Sequence, residues 1–566
     1  MSASAESSRP LIEIENLHVR FAAPAAPWVV RDVSFTVNRG ECVAIVGESG
    51  SGKSVTARTL LGLAGHGAEI RATRLAFDNE NLLELDERGW RAIRGARVGF
   101  VMQDALGSLD PLRTVAQEIA EPLKLHTTLT RAQRDERVLE LLAQVGMPDP
   151  AHRAQQHPHQ LSGGLRQRAL IAAAIACRPE LIIADEPTTA LDTTVQARVL
   201  ALLASLRSAD TGMLIISHDL AVVSRLADRV IVMHHGVIVE QGLTVTVLTN
   251  PQHAYTRSLM AAHAAIHTRH PHTPNILLPV RDTQGIVNFN AFAARPRTGG
   301  DAEHPVIEAR QLAKSFPGPA QKRRAAVSEV SFKLTPGQTL GIVGESGSGK
   351  TTLIRMILGL EKPDHGSVHL AGADWSALSA QARRLARKRI QIIFQDPLGS
   401  FDPRYTVERV LEEALAVGGC PPDRWRERAV ELLELVRLDE SYLARRPIEL
   451  SGGQRQRVAI ARALAPNPEV LVCDEPVSAL DVSVQAQILA LLADLKERLG
   501  LSCLFISHDL GIIYRVCDHL IVMKDGVVVE SGAVREVFDN PRHDYTRALL
   551  NAIPRLHAPE SHPAAV

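Results

Sequence analysis

Two glycine-rich runs, each ending in a lysine and a hydroxyl residue, carry the most specific chemistry in the chain. Gly47-Glu48-Ser49-Gly50-Ser51-Gly52-Lys53-Ser54 and Gly344-Glu345-Ser346-Gly347-Ser348-Gly349-Lys350-Thr351 have the spacing of a phosphate-binding loop. The glycines let backbone N–H groups turn inward around phosphate oxygens, at the positive end of the following helix. Lys53 and Lys350 would reach the β- and γ-phosphates of a nucleotide, and Ser54 and Thr351 would ligate Mg2+. Two copies, each between a strand and a helical pattern, set these runs apart from ordinary glycine turns.

A second pair of motifs supplies carboxylates. Asp185 and Asp474 close apolar strands, where a carboxylate can reach the Mg2+ shell. Glu186 and Glu475 follow at once, placed to accept a proton from an attacking water. The elements that must hold these groups are legible. Val43–Val46 and Leu340–Val343 read as strands entering the glycine turns, Leu181–Ala184 and Val470–Cys473 as buried strands, and Leu214–Ile216 and Leu504–Ile506 as strands ending at Ser-His. Helical patterns intervene, so each half is expected to be α/β with a mostly parallel core sheet. Val230–Val239 and Leu520–Val529 read as hairpins, the second turning at Asp525-Gly526. Asn250-Pro251 and Asn540-Pro541 read as N-cap and first-turn proline of a terminal helix.

The chain is written twice. Val46–Lys53 returns at Val343–Lys350, Leu161–Gly164 at Leu450–Gly453, and Ile216–Leu220 at Ile506–Leu510. Asn-Pro-x-His-x-Tyr-Thr-Arg occurs at Asn250–Arg257 and Asn540–Arg547. Every pair is displaced by a little under 300 residues in unchanged order, which tandem duplication of a domain of about 250 residues explains. The expected division is a first domain over 1–260, a linker over 261–305, a second domain over 306–556 and a tail over 557–566. The linker is rich in His, Pro, Thr and Arg; its His263, His267, His270 and His272 read as a polar linker rather than a metal tract.

The 566 residues hold 63 Lys+Arg against 63 Asp+Glu. That leaves no global basic excess for a protein held to nucleic acid by phosphate contacts. No stretch approaches the roughly 18 uninterrupted apolar residues of a membrane span, and the N-terminus lacks the apolar core of a secretory signal. The six cysteines stand far apart without a CxxC pair, which disfavours disulfides, zinc and an iron–sulfur cluster.

Leu-Ser-Gly-Gly followed by Arg-Gln-Arg (Arg166–Arg168, Arg455–Arg457) resembles the signature of the ATP-binding cassette (ABC) family, and both halves resemble it over nearly their whole length. The resemblance implies two tandem P-loop NTPase domains, each with a parallel core sheet, an antiparallel β region and a helical subdomain. It implies a head-to-tail sandwich with two buried ATP molecules, each touching the phosphate loop of one half and the signature of the other, Ser162-Gly163-Gly164 or Ser451-Gly452-Gly453. By the same resemblance Gln103 and Gln395 sense the γ-phosphate and water, complete the Mg2+ shell and couple to the transport partner. His218 and His508 are its switch histidines, Asp192 and Asp481 belong to the loop joining the two sites, and Phe21 and Phe316 stand where the family stacks adenine. Leu165 departs from the pattern, standing where the second half has Gln454. The phosphate-facing serine and glycines remain, so both sites are expected to hydrolyse ATP.

The segments 103–111 and 395–403, with the Asn-Pro-x-His-x-Tyr-Thr-Arg runs, resemble the ATPases of peptide and nickel importers, here two partners fused. That resemblance implies an energy-coupling subunit on the cytoplasmic face of the membrane. It would be docked peripherally on two transmembrane permease subunits and served indirectly by an extracytoplasmic solute-binding protein. Docking is expected through the segments between glutamine and signature; the apolar stripes of Arg134–Val145 and Arg426–Val436 read as subdomain core. The alternative is a soluble tandem ATPase acting on ribosomes or DNA.

Overall fold

The computed structural model describes residues 9–21, 27–189, 191–267, 281–282, 285–286, 305–317, 323–375, 377–478 and 480–553. The chain divides into two compact units whose sequence boundary falls at His263 and Ala264. Each unit repeats one plan.

In the first unit the strands Cys42–Val46, Leu181–Asp185 and Gly212–Ile216 are buried along their whole length. Unbroken apolar runs need cover on both faces, the condition of a parallel sheet. The order is Val237–Leu243, Arg229–His234, Cys42–Val46, Gly212–Ile216, Leu181–Asp185, Val98–Val101. Only the edge strand Val237–Leu243 runs antiparallel to its neighbour. A second, antiparallel sheet is built on Ile12–Phe21, which pairs with Val30–Val37, Ala68–Arg71 and Arg74–Phe77. The second unit orders Ile390–Ile393, Val470–Asp474, Ser502–Ile506, Thr339–Val343, His519–Lys524 and Val527–Ala533, and builds its antiparallel sheet on Ile307–Pro317.

Helices fill the stretch between Gln103 and the signature. Val115–His126 and Arg131–Gln144 each open on a capping box, Thr114 with Gln117 and Thr130 with Gln133. Each box satisfies two N–H groups that the helix leaves unpaired. The apolar stripe is core: Val138, Leu141 and Leu142 are buried, as are Ala429, Leu432 and Leu433 on Trp425–Leu435. At roughly 1.5–3 kcal/mol per fully buried leucine, that face holds the helical layer together and offers nothing to a partner.

The terminal hairpins turn at His235-Gly236, with φ of 47° and 84°, and at Asp525-Gly526, with φ of 48° and 83°. Two successive positive φ values are the mark of the type I′ turn, whose twist matches that of the strands. Gly236 is needed for a second reason, because a Cβ there would lie 2.3 Å from the Val29 carbonyl oxygen. Its N–H donates to the Ser51 carbonyl at 3.2 Å, and its own carbonyl accepts from the Arg31 N–H at 2.7 Å. Gly526 links Ser348 and Ser328 in the same way, at 3.1 and 2.8 Å. The hairpin tip thus joins the phosphate loop to the antiparallel sheet.

One expectation fails. Asn250 and Asn540 do not open the terminal helices; each is the C-cap of a short helix before it, Thr244–Thr249 and Val534–Asp539. The terminal helices start at Ala254 and Asp544, and His543 caps the second by accepting from the Tyr545 N–H. Asparagine suits either end of a helix, which is why the sequence alone misplaced it. The helix Ala254–His267 also runs seven residues into the span read as linker, and carries His263 buried within it. His270, His272 and the tail after Leu556 lie outside the described residues. Among the described residues no helix is long and apolar enough to cross a membrane.

Candidate nucleotide-hydrolysis site

The chemically specific residues gather at the carboxyl ends of the parallel strands, where open α/β sheets place their ligands. Gly47 leaves Cys42–Val46 with a φ of 148°, and a Cβ on it would lie 2.1 Å from the Met233 carbonyl oxygen. Only glycine fits. Gly50 and Gly52, with φ of 80° and 95°, then turn the loop into the helix Lys53–Thr59. Lys53 is buried, and its Nζ donates to the carbonyls of Gly47 at 2.7 Å and Glu48 at 2.8 Å. Lys350 repeats this on Gly344 and Glu345 at 2.6 and 2.9 Å. The Ser51 and Ser348 hydroxyls are buried in the two loops without a hydrogen-bond partner.

Ser54 Oγ donates to Asp185 Oδ1 at 2.9 Å. Asp185 is fully buried, its Oδ2 accepts no hydrogen bond, and Arg58 Nη2 is 3.7 Å away. Burial pushes the Asp185 carboxyl up, and Ser54 and Arg58 only partly offset it. Asp474 is pushed up to about 6 by burial and by the adjacent Glu475 charge. A hydroxyl beside a buried, under-satisfied carboxylate is a hard oxygen donor set, and it fits Mg2+. Thr351 holds the matching place at the start of Lys350–Ile357.

Glu186 and Glu475 both adopt φ of 48°, unusual for a residue with a side chain, and both donate their N–H to the next strand, at Ile216 and Ile506. Each carboxylate is met by the other predicted groups. Gln103 Nε2 donates to Glu186 Oε2 at 2.8 Å, and His218 Nδ1 lies 3.4 Å from Oε1. Gln395 Nε2 donates to Glu475 Oε2 at 2.8 Å, with His508 Nδ1 at 3.2 Å. Burial pushes the Glu186 carboxyl up, but the His218 contact and Thr189 outweigh it and leave it below the ordinary range. Burial pulls the His508 imidazole down, and its Glu475 contact outweighs that and holds it above its ordinary value. The structure therefore brings each glutamine onto the glutamate rather than onto the Asp–hydroxyl pair.

Other predicted residues stand apart from this cluster. Ser162 and Ser451 are the N-caps of Gly163–Ala174 and Gly452–Leu464, with no hydrogen bond to their own phosphate loop among the described residues. Ser451 forms a capping box with Gln454, which Leu165 denies to Ser162. Gly164 and Gly453 press on the next helix, since a Cβ would lie 2.3 Å from Val195 Cγ1 or 2.6 Å from Val484 Cγ1. Asp192 and Asp481 are helix N-caps, Asp192 accepting from the Val195 N–H at 2.9 Å. Phe21 packs half-buried against the core, and the exposed ring of Phe316 is faced by Lys314 Nζ at 5.7 Å.

Three residues escaped the sequence reading. Thr189 Oγ1 donates to Glu186 Oε2 at 3.0 Å, whereas Ser478 at the matching place bonds a backbone carbonyl. Tyr255 and Tyr545 accept from the Glu48 and Glu345 N–H groups, each at 3.0 Å. The repeated Asn-Pro-x-His-x-Tyr-Thr-Arg run was the signal for the tyrosines; Thr189 left none.

Comparison with known proteins matches residues 30–189 and 327–478 to the ABC transporter family, and residues 239–285 and 529–565 to the oligopeptide/dipeptide transporter C-terminal region. The peptidoglycan transport ATP-binding protein YejF of Agrobacterium fabrum is 43% identical over 567 residues, covering 98% of each chain. The glutathione import ATP-binding protein GsiA of Escherichia coli K12 is 41% identical over 574 residues, covering 98% of this chain and 91% of its own. The GsiA protein of Pectobacterium atrosepticum is 40% identical over 559 residues, covering 96% and 89%. These matches do not favour the ribosome- or DNA-acting alternative. With two phosphate loops, two Asp-Glu pairs and whole-length likeness to import ATPases, the chain belongs to the ABC transporter family, as a two-cassette ATPase of its peptide-importer branch.

Proposed function

We propose that this chain powers uptake of a di- or oligopeptide, or a related small solute, by hydrolysing two ATP molecules, one at each phosphate loop. The observation that carries the reading is the duplicated Gln–Glu–His cluster beside each phosphate loop. In each half the lysine meets the phosphates, at the positive end of the helix that follows the loop. Ser54 with Asp185, and Thr351 with Asp474, would hold Mg2+, which neutralises phosphate charge when bound. Glu186 and Glu475 accept the proton of the attacking water, each aimed by its glutamine and histidine, and despite burial the His218 contact holds the Glu186 carboxyl below the ordinary range. Binding and loss of the γ-phosphate beside the Gln–Glu–His cluster would order and release that part of each cassette. Cassette boundaries at 1–260 and 306–556 with a linker between are part of this reading.

Two permease subunits would take up that motion at the cytoplasmic face of the membrane, with an extracytoplasmic binding protein delivering the solute. In the second cassette a cleft of about 270 Å³ opens beside Gln395, lined by Phe394, Phe401, Tyr405, Val410, Val417 and Arg462. Its lining is mostly apolar but includes Asp402, Glu413 and Arg462; it is partly exposed and one residue from the group that aims Glu475, so a cytoplasmic segment of a permease seated there would couple directly to hydrolysis. The relatives' names, glutathione import and peptidoglycan transport, support a peptide-like cargo.

Phosphate release from the full chain tests the chemistry. Glu186→Gln and Glu475→Gln are expected to cause equal, partial losses, and the double variant a fall of about 10²- to 10⁴-fold. Unchanged turnover in either single variant would mark that site as idle. Tagged purification from solubilised membranes tests the partners: two co-purifying permeases are expected, and ribosomes in their place would sink the transport reading.

A further inference from the structure

The Asn-Pro-x-His-x-Tyr-Thr-Arg run is repeated in both halves, yet no step above uses it. Its residues form one device. Glu240, on the hairpin strand, accepts from the Gln252 and His253 N–H groups at 2.7 and 3.0 Å, and Glu530 accepts from Arg542 and His543 at 2.8 and 3.1 Å. The histidine Nδ1 then accepts from the tyrosine N–H, at 3.2 Å in the first half and 3.1 Å in the second. The arginine closes the turn, Arg257 donating to the Gln252 carbonyl at 2.6 Å and Arg547 to the Arg542 carbonyl at 3.0 Å. Together these bonds fix the turn that carries the tyrosine.

That tyrosine points at the phosphate loop. The Glu48 N–H it accepts from belongs to the same peptide unit as the Gly47 carbonyl, and that carbonyl receives Lys53 Nζ. In a planar trans peptide the two groups face opposite ways, so fixing one fixes the other. The second loop repeats this with Tyr545, Glu345, Gly344 and Lys350. The rings are backed differently, Tyr255 stacking on His234 at 3.9 Å and Tyr545 facing Lys524 Nζ at 5.0 Å. The halves share the hydroxyl bond whatever residue faces the ring.

We propose that Tyr255 and Tyr545 are positioning residues for ATP: each holds the Gly–Glu peptide of its phosphate loop in the orientation that presents the loop lysine. Without the hydroxyl this peptide samples other orientations, and apparent affinity falls by the fraction of loops left competent. The proposal needs only ATP binding by each cassette and does not depend on shared sites or on the cargo.

The test uses the full chain with Tyr255→Phe, Tyr545→Phe and the double variant. For the double variant the Kd of a fluorescent ATP analogue and the KM for ATP are expected to rise about 3- to 10-fold, about 0.6–1.4 kcal/mol, with kcat within about twofold. Amide hydrogen exchange is expected to quicken over residues 46–53 in Tyr255→Phe alone and over 343–350 in Tyr545→Phe alone. Unchanged Kd and KM in the double variant would overturn the proposal. So would a loss that appears only in Tyr→Ala, which would assign the effect to ring packing. Exchange that quickens across a whole cassette would also overturn it, because the role would then be structural.

Discussion

Replacing Asp474 by asparagine is expected to make the nucleotide-free chain more stable while disabling its second site. Burial and the Glu475 charge raise the Asp474 carboxyl from an ordinary 3.8 to about 6, about 3 kcal/mol between its charged and neutral forms. The sign follows from proton binding. A carboxyl that holds its proton more tightly when folded opposes folding above about pH 6, and the opposition fades as pH falls towards 3.8. Asparagine has nearly the same shape and no charge, so it removes that cost at pH 7.5. Rearrangement around the side chain makes 3 kcal/mol a ceiling; half of it would move the Tm of a unit this size by about 3–6 °C. The gain should shrink to about half by pH 5, where the parent carboxyl is already mostly protonated. Asp185→Asn serves as the internal control and should gain less, because Ser54 and Arg58 already support that charge. Differential scanning calorimetry without nucleotide at pH 7.5 and 5 reads both variants, and Mg2+ with ATP should stabilise the parent far more than Asp474→Asn. A variant that melts at or below the parent at pH 7.5, or a gain that does not shrink with acid, would refute the burial argument.

Thr189→Val removes one donor from Glu186, so the acid limb of ATP hydrolysis, read in a Glu475→Gln background, should move to higher pH. An unmoved limb would show that Gln103 and His218 suffice. Gly164→Ala drives a methyl into Val195 and should cost about 1–3 kcal/mol by urea unfolding. Adding Val195→Ala should restore most of that, and failure to do so would place the strain elsewhere. Val417→Asp in the cleft beside Gln395 should leave the ATPase of the isolated chain within about twofold and abolish co-purification of the permease; retained co-purification would move the docking surface.

How much of this could be read in the sequence depended on whether a residue's neighbours were local. The buried strands ending at Gly47, Asp185 and Ser217 were legible because continuous apolar runs admit few other readings, and their observed bounds, Cys42–Val46, Leu181–Asp185 and Gly212–Ile216, differ by one or two residues. The terminal hairpins were legible from their turns, but the separate antiparallel sheet built on Ile12–Phe21 was named only through the family likeness, since bulges such as that at Asn16 break its alternation. Asn250 was misread because its fate depends on which side the backbone turns. The meeting of Gln103 with Glu186 across 83 residues lay beyond spacing rules, and so did the Thr189 donor. The exchange of Gln454 for Leu165 was visible as a change of letter. Its physical effect, a capping box kept in one half and lost in the other, needed coordinates.

The hairpin tips have a mechanical consequence. With Gly236 and Gly526 each clasping the phosphate loop on one side and the antiparallel sheet on the other, those parts are expected to travel together. Any swing that ATP drives inside a cassette is therefore displaced to the opposite margin, the joint after Gln103 and Gln395 where the helical layer begins. A crosslink across the clasp should leave the engine running; one across that far joint should stall it.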